Sequence, residues 1–77
     1  MIIATKSLAK RRIEQGLSRS ELARTLSLSH SVIVRAEQHK SVSPKTAKII
    51  CDFFKVAFDE IFEIEEVENS VATNENN

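Results

Sequence analysis

The sequence is poor in residues that carry most catalytic and scaffold chemistry: one cysteine, one glycine, one proline, two histidines, no tryptophan and no tyrosine. A lone Cys51 excludes an internal disulfide, and with two histidines at unrelated positions it cannot assemble a zinc site. Cys51 also falls within an apolar pattern of helical period, which reads as a buried structural thiol. One glycine leaves no phosphate-cradling loop, and His30 and His39 have no nucleophile or carboxylate at a set spacing. An enzyme is not expected, and neither is a cofactor, a metal or a small-molecule ligand. Long apolar runs are missing too. The opening MIIATKSLAKRR is too short in apolar residues for a signal peptide, and nothing approaches the roughly 20 residues of a membrane span. A soluble, cytoplasmic protein without a membrane partner is expected. β-Branched residues seldom alternate with polar ones, so no sheet is expected.

What is present suits one small packed domain. Seventy-seven residues leave no room for a second core, and a hydrophobic share of 42% argues for a folded chain. The net charge of zero conceals a segregation. Residues 1–55 hold all 11 Lys and Arg against 4 acids (Glu14, Glu21, Glu37, Asp52), a net of +7. Residues 56–77 hold the other 7 acids and no base, a net of −7. A basic body of this kind is the electrostatic footprint of a nucleic-acid binder.

Apolar spacing divides the body into five short helices, giving an all-α fold. Leu8, Ala9, Arg12 and Ile13 share one face of a first helix at about 5–15, stopped by Gly16. Ser18 and Glu21 form a Ser-x-x-Glu capping box for a second helix at about 19–26, with Leu22, Ala23 and Leu26 inward. Ser27-Leu28-Ser29 is a turn, and a third helix runs from His30 to Gln38 with Ile33 and Ala36 inward. His39 to Val42 reads as a polar loop. Ser43-Pro44 opens a fourth helix, where the missing proline amide costs nothing, and Ala47, Ile50, Cys51 and Phe54 face the core. Val56, Phe58, Ile61 and Phe62 supply a fifth. Residues 1–64 form the domain, and 65–77 read as an acidic, disordered tail.

The run from Leu17 to Glu37, LSRSELARTLSLSHSVIVRAE, resembles the helix-turn-helix of the phage repressor and Cro family. Gly-Leu-Ser precedes helix two, Glu-Leu-Ala lies inside it, Leu-Ser marks the turn and Ile-x-x-x-Glu sits in helix three. The likeness extends over about residues 5–63, through Ser-Pro at helix four to Phe-Asp-Glu-Ile-Phe. It implies a transcriptional regulator, encoded by a bacterium or phage and associated with the nucleoid, whose third helix lies in the major groove of operator DNA. The matching positions for base contacts are Ser29, His30, Ser31 and Arg35. Those for phosphate are Ser18, Arg19, Lys40, Lys45 and Thr46. Arg12 and Glu37 match a buried salt bridge that joins helices one and three.

The sequence departs from that family at several positions. Ser27, His39 and Lys55 stand where glycine is usual, which puts a side chain where positive φ is common, at about 1 kcal/mol each. Ala57 replaces a usual serine cap. Val32 and Val34 stand on helix three where polar residues are usual, and Ile49 and Phe53 are surplus apolar residues on helix four. All four are candidate partner contacts. Two readings follow: a Cro-sized homodimer on a two-fold operator, or an antirepressor that keeps the fold but covers a partner repressor.

Overall fold

A computed structural model describes residues 1–65. Its elements, in chain order, are strand β1 (Ile2–Ala4), helices α1 (Ser7–Glu14), α2 (Arg19–Leu26) and α3 (His30–Glu37), strand β2 (Ser41–Val42), helix α4 (Pro44–Phe54), a single 3-10 turn (Phe58–Glu60) and strand β3 (Phe62–Ile64). The acidic tail expected at 65–77 lies, beyond Glu65, outside the described residues.

The local chemistry sets the helix ends. Ser18 accepts the Glu21 amide while Glu21 Oε1 accepts the Ser18 amide at 2.8 Å, completing the capping box. Ser29 and Ser43 cap α3 and α4 through the amides of Val32 and Thr46. Four residues take positive φ: Gly16 (74°), Ser27 (57°), His39 (63°) and Lys55 (58°). The last three are the positions where a glycine was missing, so the chain keeps the left-handed turns without the residue that relieves them. At Ser27 this reversal ends α2, and the Leu28 amide returns to Ala23 O at 2.8 Å.

The all-α expectation is corrected. β1 is the centre of a three-stranded antiparallel sheet ordered β2-β1-β3, pairing Ile2 with Val42 and with Ile64, and Ala4 with Phe62. The segment read as a polar loop therefore contains β2, and the expected fifth helix is one 3-10 turn followed by β3. Strands of two or three residues are too short to register as alternation. Ile3 and Ala4 are moreover both buried, so the two faces of β1 look equally apolar.

The core gathers Ala4, Leu8, Leu22, Ile33, Ala36, Ala47, Ile50, Ile61 and Phe62, with Cys51 slightly more exposed. Cys51 is buried, as its spacing suggested. Burial, together with the charges of Asp52 and Glu60, pushes its thiol above the usual value. Ile13, placed inward by spacing, is 64% exposed. α1 is short, and Leu8 and Arg12 occupy its buried line.

Candidate nucleic-acid interface

α2 and α3 form a helix-turn-helix around a three-residue turn. α3 turns about 100° per residue, so Ile33 and Ala36 point inward while Ser31 and Arg35 fall on the opposite side. Ser29, His30, Ser31 and Arg35 are all exposed. Ser29 Oγ already accepts the Val32 amide at 3.3 Å and lies 3.1 Å from Ser31 Oγ, which holds both hydroxyls at the open end of the helix.

Arg35 borders an open cleft of about 230 Å³ whose other walls are Val32, Ser41, Val42, Ser43 and Thr46. Arg35, Val32 and Thr46, three residues singled out from the sequence, thus meet at one opening. Ser41 and Ser43 were not foreseen there, because β2 was invisible and Ser43 read only as a cap. Thr46 accepts the Ser43 hydroxyl at 3.0 Å. Lys40 and Lys45 are exposed at the two ends of this region. Among the described residues, Arg35, Lys40 and Lys45 make no ion pair, so their charge is unneutralised.

Arg12 and Glu37 meet as expected: Nε to Oε2 at 2.6 Å and Nη2 to Oε1 at 3.2 Å, with side chains 11% and 3% exposed. Arg12 Nη1 also donates to Leu17 O at 2.7 Å, tying the loop before α2. A contact the sequence did not reveal joins this pair: Arg19 Nε donates to Glu37 Oε1 at 2.9 Å. Burial pushes the Glu37 carboxyl up, but the hydrogen bonds and charges of Arg12 and Arg19 outweigh it and hold the group below its ordinary value. Ser18 is exposed at the start of α2, its hydroxyl engaged as the cap.

The four candidate partner residues are all half-buried. Phe53 packs against the core and meets Phe54 edge-on, ring centres 5.0 Å apart. The acids cluster elsewhere, with Asp59, Glu60, Glu63 and Glu65 on the 3-10 turn and β3 and exposed there. Among the described residues, no group of three His, Cys, Asp or Glu could hold a metal, and no helix is long and apolar enough to cross a membrane.

The profile of a helix-turn-helix family matches residues 8–61. No curated protein matches the chain. Among solved structures, the crystal structure of the transcriptional regulator VanUg (form II) is similar in fold, with a TM-score of 0.67 at 22% identity. The match covers 84% of this chain and 89% of that one.

Proposed function

This chain belongs to the Cro/C1-like helix-turn-helix family, and we propose that it is a repressor-type transcriptional regulator that binds operator DNA with α3 in the major groove. The observation that carries the reading is the outward side of α3. Ser31 and Arg35 oppose the buried Ile33 and Ala36, and Lys40 and Lys45 flank them without acidic partners among the described residues. A helix of about 10–12 Å diameter fits a major groove about 12 Å wide. Arg35 offers its planar fork to guanine O6 and N7, while Ser29, His30 and Ser31 offer hydroxyls and an imidazole to neighbouring base edges. Ser18, Arg19, Lys40, Lys45 and Thr46 hold phosphates on either side, aided by the free amides where α2 and α4 begin. In this reading Glu37 aims Arg19, because its bond to Nε leaves both terminal nitrogens of the guanidinium to donate outward. A homodimer on a two-fold operator would place its half-sites about 34 Å apart.

The test is retardation of a duplex from the chain's own promoter, with Arg35→Ala losing site preference and Lys40→Ala losing affinity evenly across sequences. Equal binding to all duplexes by wild type and Arg35→Ala would remove the reading. A second reading, an antirepressor that covers a partner repressor, is favoured by Val32, an apolar wall of the cleft beside Arg35. In that case Val32→Asp abolishes association with a neighbouring regulator, and wild type alone retards DNA poorly.

A further inference from the structure

We infer that His39 is a further phosphate contact of this chain, and that it holds a DNA phosphate only while its imidazole carries a second proton. The inference deepens the regulator reading and rests on it for the duplex, whereas the placement of the ring rests on the fold alone.

The end of α3 fixes where the ring stands. The His39 amide donates to Ala36 O at 3.1 Å and the Lys40 amide to Arg35 O at 3.0 Å. With His39 at φ 63°, these two bonds close the helix in a Schellman turn. Glycine would make this turn without strain, but it would bring no side chain. Here the side chain reaches the central strand, with Nδ1 2.7 Å from Ala4 O. A carbonyl oxygen can only accept, so Nδ1 carries the hydrogen of that bond and the tautomer of the neutral ring is set. Its Nε2 is left with a lone pair, has no partner among the described residues and belongs to an exposed residue.

Protonation reverses what Nε2 can do and leaves the Nδ1 bond in place. The neutral ring offers a phosphate only a lone pair, whereas the imidazolium offers an N–H and a positive charge. Both forms keep the bond to Ala4 O, so the change is confined to the surface.

The charges around the ring decide what it can receive. Lys40 follows it directly, Arg35 lies one turn back on α3, and neither makes an ion pair among the described residues. Lys6 stands two positions beyond Ala4, and β1 and β2 carry no charged side chain. Glu37 on α3 is held by Arg12 and Arg19, and Glu63 is on β3, across β1 from β2. His30, the other imidazole, is at the opposite end of α3. Among the described residues, then, no unengaged acid on these elements adjoins the ring, and a DNA phosphate beside Lys40 supplies the anion that Nε2 lacks.

The experiment is fluorescence anisotropy of the full chain with a random-sequence duplex, a probe of phosphate contact, at pH 6 and pH 8 over a range of salt. His30→Asn is carried throughout, so that His39 is the remaining imidazole. Against that parent, His39→Asn keeps a residue that accepts positive φ but cannot gain a charge. The parent is expected to bind at least about threefold more tightly at pH 6 than at pH 8, beyond any change His39→Asn also shows. Its log–log salt slope should be steeper than the variant's by about 0.9 at pH 6 and equal to it at pH 8. A merely structural His39 would weaken binding by the same factor at both pH values, and that result would overturn the inference. So would imidazole nitrogen shifts of the free protein at pH 8 that place the hydrogen on Nε2. Two chains that both bind duplex and respond alike to pH sink the His39 contact alone. A wild type that binds no duplex at either pH removes the regulator reading, and the contact with it.

Discussion

Arg19 and Arg12 share one carboxylate, that of Glu37, although one arginine is half exposed and the other is sealed beneath the turn. Glu37 Oε1 takes Nε of Arg19 at 2.9 Å and Nη2 of Arg12 at 3.2 Å. Through this one side chain the end of α3, the body of α1 and the first turn of α2 are fixed relative to one another. The angle between the two motif helices therefore has an ionic component as well as the packing of α2 on α3, where Leu22 and Ile33 are both fully buried.

Breaking the pair from one side should cost more than removing both partners. Arg12→Met leaves Glu37 buried with only Arg19 to compensate, and a loss of about 3–5 kcal/mol is expected. The double variant Arg12→Met, Glu37→Met replaces both charges with apolar volume and should recover much of that loss. Urea denaturation of the two variants measures the difference, and equal losses would show that the ionic link contributes nothing beyond packing.

Acid should loosen the fold through the same residue. Glu37 and Glu21 both have carboxyls held below the ordinary value, Glu21 chiefly by the Ser18 amide and hydroxyl. A depressed acid stabilises the fold above its unfolded-state value, about 4.3, and that stabilisation disappears as pH falls through the lower folded-state value. Thermal melts should show a steady decline in midpoint below about pH 4.5, and Glu37→Gln should flatten it. A decline of equal steepness in Glu37→Gln would assign the acid sensitivity elsewhere.

The left-handed residues give a contrast. Lys55 is exposed at φ 58° after α4, and Lys55→Gly should add about 1 kcal/mol, or about 4–8 °C in midpoint. His39 has the same geometry at φ 63°, but its Nδ1 lies 2.7 Å from Ala4 O and ties the end of α3 to the central strand. His39→Gly should gain nothing, or lose, because relief of strain is offset by loss of that bond. Calorimetry on both variants decides it.

On DNA, salt should separate two kinds of residue. Affinity of wild type should fall steeply with salt, and loss of Lys40 or Lys45 should each reduce the log–log slope by about 1. Arg35→Ala should leave most of the slope and remove about 1–3 kcal/mol of discrimination at one base pair. A titration series by fluorescence anisotropy at several salt concentrations reads both quantities.

Much of this was legible in the sequence because it depends on local chemistry. Ser18, Ser29 and Ser43 announce helix starts by their hydroxyls, whereas the left-handed turns at Ser27, His39 and Lys55 followed from the family resemblance, which puts glycine at those positions. The Arg12–Glu37 pair followed from the family resemblance. The sheet was not legible, since its pairings span most of the chain and each strand is too short to carry a period. With β2 unseen, the contribution of Ser41 and Ser43 to the Arg35 cleft was hidden as well. Arg19 was placed among the phosphate contacts, but its bond to Glu37 depends on how α2 docks against α3, which no spacing encodes.

The central position of β1 also sets the order in which the molecule can be completed. Ile2 is made before its neighbours on either side, Val42 and Ile64, which follow forty and sixty-two positions later. During synthesis β1 can pair first with β2, and its other edge stays open until β3 has been made. The helix-turn-helix can assemble from contacts close in sequence, whereas the sheet is complete only once β3 exists, so a chain cut short before Phe62 would keep the motif and lose one side of its central strand.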